Sequence, residues 1–310
     1  MNDGKYWDIA WNPVTGCSPQ GVGCSNCWAR SMAKRFWKDR RFGDVRFHRD
    51  RLNNPKHWKK PRTIAVSWMG DLFHERVAYE WLSPIFDVMA ESPQHTFLVL
   101  TKRAERCRDV LTRHIECSTN VWVGCSVSNQ PEAEDLVPYI LDIPNVVHWL
   151  SIEPMIGPVS LASLPCNVRP LSPTSRLHRD YFCALRGAGY DSQRDEYTDN
   201  WQYPSLDLVV VGGETGPGAR PMPRDAAYGI LRECRNSGTP FFFKSWGDYE
   251  ALEDGSYRRW PRGHKALRGR ILDGRTFDQW PDGKIRCWKP GPDLACIVRR
   301  PPGVVCGGRR

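Results

Sequence analysis

The sequence predicts an α/β fold whose strands run parallel and curl into a partial (β/α) barrel. Three observations carry that expectation. Short, continuously apolar runs alternate with stretches of helical spacing, the pattern of a parallel sheet covered by helices. Polar, charged or glycine-rich clusters follow the C-terminal ends of these runs, where (β/α) barrels gather their chemistry. No glycine fingerprint follows the first run, which argues against a dinucleotide-binding sheet.

Residues 7–11 form the first strand-like run, and a helical run over 28–36 follows the loop between them. Residues 36–62 read as a helix end and a basic loop closed by Trp58 and Pro61. The second strand, 63–68, ends in Met69-Gly70-Asp71-Leu72-Phe73-His74-Glu75. Residues 79–91 have helical spacing, with Trp81, Ile85, Val88 and Met89 on one face, and Pro93 stops the run. The third strand, 96–100, leads into Thr101-Lys102-Arg103 and a helix over 104–115. The fourth, 120–127, precedes a helix over 132–141; the fifth, 146–152, ends in Glu153-Pro154. The rhythm then breaks: residues 165–205 are polar and aperiodic, an insert of the length that serves as a lid or binding loop. The sixth strand, 206–211, runs into Gly212-Gly213-Glu214, and a helix over 224–236 leads to the seventh, 240–244. The expected organisation is a barrel over 1–250 and a basic C-terminal extension over 251–310.

At 310 residues, the chain can bury one large core or a main domain with an appendage. No apolar stretch of about 18 residues occurs, so a membrane span is not expected. Residues 1–5 lack the basic and apolar parts of a signal peptide, which predicts a cytoplasmic protein. Twelve cysteines then point to reduced thiols and metal chemistry rather than disulfides. The net charge of +9 is uneven: residues 30–62 carry thirteen Lys/Arg against three Asp/Glu, and 255–310 carry fourteen against four. Two basic flanks around an acidic middle predict polyanion contact, the bland alternative being two solvated faces.

The chemistry centres on Cys17, Cys24 and Cys27, spaced C-x6-C-x2-C in a loop of Gly, Pro and Ser. A structural zinc site takes four ligands, whereas three thiolates on a [4Fe-4S] cluster leave one iron open to a small molecule. The open iron–sulfur site is the expectation; zinc and unrelated buried thiols are the alternatives. Cys125, inside a strand, reads as core. Cys287, Cys296 and Cys306 form a loose trio that matches no compact metal site.

These segments together resemble the radical S-adenosylmethionine (SAM) enzymes, and specifically a phage-encoded three-cysteine family. The resemblance rests on Trp11-Asn12-Pro13 through Cys27, Met69 to His74, Leu100-Thr101-Lys102-Arg103, Val123-Gly124-Cys125-Ser126-Val127, Ser151-Ile152-Glu153-Pro154, Gly212 to Arg220, Phe242-Phe243-Lys244 and Leu272-Asp273-Gly274-Arg275. It implies a partial (β/α) barrel of radical SAM type, a [4Fe-4S] cluster and S-adenosyl-L-methionine, with an external electron donor. The loop departs from the usual C-x3-C-x2-C, and Asn26 stands where an aromatic residue usually precedes the last cysteine.

The resemblance implies roles for particular residues. Cys17, Cys24 and Cys27 would hold the cluster, with Trp28 beside the adenine. Asp71 would meet the SAM amine, and Lys102 or Arg103 its carboxylate. Ser126, Ser128 and Glu153 are candidates for the ribose, Glu153 also for substrate. Gly212, Gly213 and Glu214 would bring backbone close to a ligand, since glycine carries no side chain. His74, Arg220 and Lys244 are the candidate substrate contacts. The implied activity is isomerisation or related tailoring of an amino-acid-modified pyrimidine in phage DNA, of the thymidine-hypermodification kind. The basic flanks suit DNA phosphates and some of the fourteen tryptophans suit an extruded base. Two alternatives stand beside it: a radical enzyme on a small molecule or peptide, and a non-catalytic, zinc-stabilised nucleic-acid-binding protein.

Overall fold

The structure, a computed structural model, describes residues 4–165, 181–191, 196–198, 204–260 and 268–281. Seven strands form the central sheet: β1 (Ile9–Trp11), β2 (Thr63–Val66), β3 (Thr96–Thr101), β4 (Val121–Val127), β5 (Val147–Ile152), β6 (Leu208–Gly212) and β7 (Phe241–Ser245). They lie side by side in chain order, every neighbouring pair parallel, as a half-barrel. Helices α1 (Trp28–Phe36), α2 (Tyr79–Ala90), α3 (Ala104–Arg113), α4 (Gln130–Leu141) and α5 (Arg224–Ser237) connect the strands. The connection from β5 to β6 departs from this pattern. Its described residues form a four-stranded antiparallel sheet of Leu164–Pro165, Tyr181–Cys183, Ala188–Asp191 and Glu196–Thr198, in place of the irregular insert expected.

Local chemistry fixes the helix ends. The Asn129 side chain accepts from the Glu132 amide and so satisfies an orphan donor at the start of α4. Helix α5 ends at Gly238, whose left-handed φ of 76° lets the Thr239 amide reach back to the Cys234 carbonyl.

Strand parity divides the interior. Alternate side chains point to opposite faces, so Phe97, Val99, Val121, Val123, Leu150, Val209, Phe241 and Phe243 pack outward beneath the helices. Leu98, Trp122, Trp149, Leu208, Val210 and Phe242 point inward and, with Tyr6 and Trp280, fill the barrel. Counting on by two from these inward residues gives Leu100, Ser126, Ser151, Glu153, Gly212, Glu214 and Lys244, at or near the carboxyl mouth. An aromatic plug below and a polar rim above therefore follow from one alternation.

The described part of the 251–310 extension is built into this body. The Phe243 amide donates to the Phe277 carbonyl and the Gln279 amide to the Phe241 carbonyl, so this segment covers the free edge of β7. Trp280 stacks on Trp122 inside the barrel, with ring centroids 5.0 Å apart. A boundary at residue 250 therefore does not separate an appendage. Cys287, Cys296 and Cys306 lie outside the described residues. No helix among the described residues is long and apolar enough to cross a membrane.

Candidate active site

One cavity opens at the carboxyl ends of the strands, and Cys17, Cys24 and Cys27 all line it. The three thiols are free and half-buried. The loop that carries them is pinned from three sides.

The first anchor is Arg103. Its guanidinium donates to Asp71 Oδ2 at 3.1 Å, Glu75 Oε1 at 2.9 Å and Ser18 Oγ at 2.9 Å, and lies 3.5 Å from Cys17 Sγ. Burial opposes the charge of Arg103, but Asp71 and Glu75 outweigh burial and hold it cationic. Burial, with Asp71 adding to it and Arg103 opposing, raises the Cys17 thiol to about 11.

The second anchor is Glu132 at the start of α4. Its carboxylate accepts from the Val22 amide at 2.9 Å and the Ser128 amide at 2.8 Å, with Lys102 Nζ 3.6 Å away. The third is Glu214, which is buried. It accepts two side-chain bonds and one amide bond from Arg220, and a fourth from Asn26 Nδ2 at 3.0 Å. Arg220 also donates to the Val22 carbonyl at 3.0 Å. Burial would raise the Glu214 carboxyl, but the bonds from Arg220 and Asn26 prevail and hold it below its ordinary value.

Glu153 lines the same cavity. It accepts from Tyr6 Oη at 2.7 Å and Ser151 Oγ at 3.1 Å, and Lys244 Nζ stands 2.7 Å from its other oxygen. Lys244 Nζ also lies 5.6 Å from the Trp7 ring centroid. Tyr6 is protonated: burial raises its hydroxyl well above the ordinary value, and the Glu153 charge raises it further.

Of the residues expected at the site, Trp28, Asp71, Lys102, Ser126, Glu153, Gly213, Glu214 and Lys244 line the cavity with the thiols. His74, Ser128, Gly212 and Arg220 are not among its lining residues. His74 is buried, bonded through Nε2 to Ser18 Oγ at 3.0 Å, and neutral because burial and then Arg103 lower its pKa. It braces the thiol loop rather than reaching toward the mouth, and Arg220 does the same through Glu214. Ser128 is wholly buried beneath Gly23.

Asp71 lines the cavity, but its carboxylate already accepts from the Phe73 amide, Thr101 Oγ1, the Lys102 amide and Arg103. With four lone-pair positions filled, its work here is to hold Arg103 beside Cys17. Lys102 Nζ donates to the Ser126 carbonyl at 2.8 Å. The close approach allowed by the paired glycines is to the protein itself. A Cβ on Gly212 would lie 2.6 Å from Glu153 Oε1, and one on Gly213 would lie 2.0 Å from the Trp246 carbonyl oxygen.

Tyr6, Trp68 and Ser151 line the cavity and Glu132 anchors its loop, although none of them is a site candidate by sequence. Parity from Trp149 signals Ser151, and Glu132, three residues after Asn129, has the spacing of a capping box. Tyr6, one of two adjacent aromatics ahead of β1, gives no such signal.

Among the described residues, no group of three or more His, Cys, Asp or Glu side chains converges so as to hold a metal ion. Cys17, Cys24 and Cys27 are three free thiols that line one cavity. A single structural zinc takes four ligands, whereas three thiolates on an iron–sulfur cluster leave one iron open, and the donor set has the ligand number of the latter.

Fold and cavity define a (β/α) half-barrel protein with a three-thiol pocket at its carboxyl mouth. The chain belongs to the family described as protein of unknown function (DUF5131), whose model matches residues 3–281. No curated protein matches the chain, and no solved structure does.

Proposed function

We propose that the protein is a radical SAM enzyme that tailors a modified pyrimidine in phage DNA, by isomerising the amino-acid group the base carries. The observation that carries the reading is that Cys17, Cys24 and Cys27 line the strand-end cavity together with the paired Glu153 and Lys244. A [4Fe-4S] cluster held by Cys17, Cys24 and Cys27, with SAM, would supply one-electron reductive chemistry that ends in abstraction of a substrate hydrogen, the electron coming from an external donor.

The chain's own residues do the rest. Cys17, Cys24 and Cys27 hold the cluster, and Arg103 offers a fixed positive charge beside Cys17. Trp28 lines the mouth next to the last cysteine and serves as a surface for the adenine. Lys244 and Glu153 present a cation and an anion 2.7 Å apart, complementary to the carboxylate and ammonium of an amino-acid substituent. Tyr6 and Ser151 donate to the Glu153 carboxylate and orient it. The aromatic plug of Trp149, Phe242 and Trp280 closes the barrel below and excludes water from that side.

The test is anaerobic reconstitution with iron and sulfide, then SAM and dithionite, with 5′-deoxyadenosine followed by mass spectrometry. The reading requires that nucleoside to appear and to vanish in Cys27→Ala. A colourless protein that retains zinc and yields none would sink it.

A further inference from the structure

Helix α1 is turned the opposite way from an ordinary surface helix. Ala29 and Ala33, four residues apart, are its buried positions. Trp28, Met32 and Phe36, also four apart, stand 51%, 40% and 59% exposed. Large apolar side chains normally face the core and small or charged ones the solvent, so this ridge is available for a partner. Three large apolar groups follow one another at about 6 Å per step along the helix.

The surroundings of the ridge are cationic. From Trp28 to Phe42 six Lys/Arg stand against one acid, the exposed Asp39, and Lys34, Arg35, Lys38 and Arg41 are exposed. Cations and rings are interleaved: the Arg35 guanidinium lies 5.1 Å from the Phe36 ring centroid, and that of Arg40 lies 3.6 Å from that of Trp37. Trp37 in turn stacks on Phe42, with centroids 5.8 Å apart. Phe42 and Trp28 both line the strand-end cavity. The ridge and the Trp37–Phe42 pair are therefore continuous with the site.

From this geometry we infer that α1 and the segment to Phe42 form a docking track for single-stranded nucleic acid that feeds the cavity. Unpaired bases stack on Phe36 and the Trp37–Phe42 pair, Met32 continues the ridge toward Trp28 at the cavity mouth, and Lys34, Arg35, Lys38 and Arg41 meet the phosphates. Aromatic faces interleaved with cations are the chemistry that binds single strands with little sequence preference. The inference rests on the nucleic-acid part of the proposed function and is independent of its radical chemistry.

The experiment uses the full-length reconstituted protein and a short fluorescent oligothymidylate, with affinity read by anisotropy over a range of salt. Phe36→Ala and Met32→Ala are exposed truncations outside the thiol cavity, and a thermal melt confirms that each variant folds. Phe36→Ala is expected to weaken binding at least about five-fold, the low end of base–aromatic stacking, and Met32→Ala to weaken it less. Lys34→Ala and Arg35→Ala are each expected to lower the salt slope by about 0.7, one phosphate contact on a single strand. Unchanged affinity in Phe36→Ala and in the Lys34→Ala, Arg35→Ala double variant overturns the inference. So does a pattern in which these variants bind oligothymidylate normally but accept electrons from reduced flavodoxin more slowly than from dithionite. The ridge would then belong to an acidic electron-donor protein. Wild-type protein that binds the oligonucleotide but never forms 5′-deoxyadenosine refutes the radical reading and leaves the track standing.

Discussion

Asn26 Nδ2 donates to Glu214 Oε2 at 3.0 Å and to the Gly218 carbonyl at 2.7 Å, tying the residue before the last cysteine to the loop after β6. The two positions are 188 residues apart in sequence, and their contact sets where Cys24 and Cys27 sit. Asn26 therefore acts as a latch of the thiol loop.

Opening that latch should loosen the loop without unfolding the barrel. Asn26→Ala is expected to retain fewer irons per chain after reconstitution than wild type, and to lose its visible absorbance faster in air. Iron and sulfide assays with a parallel melting curve check this; full iron retention would show that the latch does not hold the loop.

Glu214 also makes stability depend on acid. Its folded pKa is depressed below the ordinary 4.5, so its contribution is present above that value and lost as pH falls through the folded one. Urea titrations of wild type at falling pH should show this loss, and Glu214→Gln should flatten it. Glu214→Ala leaves the Arg220 guanidinium without its carboxylate and should cost about 1–3 kcal/mol near neutral pH.

Two glycines should respond to alanine in opposite directions. At Gly213 the added Cβ would lie 2.0 Å from a backbone oxygen, which cannot yield as a flexible side chain would. Gly213→Ala is expected to destabilise by about 1–3 kcal/mol. At Gly229, inside α5, no atom lies within 4 Å of such a Cβ. Gly229→Ala should stabilise by roughly 0.5–1 kcal/mol through helix propensity alone. Thermal denaturation of both variants decides the pair.

Lys244 and Glu153 should separate cofactor chemistry from substrate chemistry. Lys244→Met removes the cation that faces the rings of Tyr6 and Trp7. Turnover of the true substrate is expected to fall on the order of 10²-fold through misplacement of the reacting group, while uncoupled formation of 5′-deoxyadenosine persists. Equal loss of both would place Lys244 on SAM instead.

Cysteine substitutions should sort by position. Cys17→Ala, Cys24→Ala and Cys27→Ala each remove a cavity thiol and should abolish the reconstituted chromophore. Cys125 is buried in β4, and burial pushes its thiol up to about 12, so it is inert core. Cys125→Ala should keep the chromophore and cost stability alone, as absorbance and a urea titration would show.

The half-barrel was legible because its strands are buried on both faces, so each appears as an unbroken apolar run such as 96–100 or 208–211. The antiparallel sheet in the insert was not, since strands of two to four residues are too short to show a period. The segment over 270–281 is legible only as turns packed by aromatics: Phe277 and Trp280 are isolated among turn residues, and only the fold shows where they pack.

At the site, the cysteine spacing identified the thiols, and strand ends identified Glu153 and Lys244. What the sequence cannot carry is how a residue's hydrogen bonds are already used. Asp71, His74 and Arg220 have the right chemistry for ligands, yet each is committed to a neighbour: Asp71 to Arg103, His74 to Ser18, and Arg220 to Glu214 in its own loop and to the distant Val22 carbonyl.

The stacking of Trp280 on Trp122 bears on the order in which the protein is made. The aromatic plug draws on residues from the fourth strand to a position more than 150 residues later, and the edge of the last strand is covered by that same late segment. A nascent chain can pair its first six strands as they emerge, but its interior stays open until residue 280 has left the ribosome. Release of a chain shortened before that residue should therefore yield aggregates rather than a smaller working barrel.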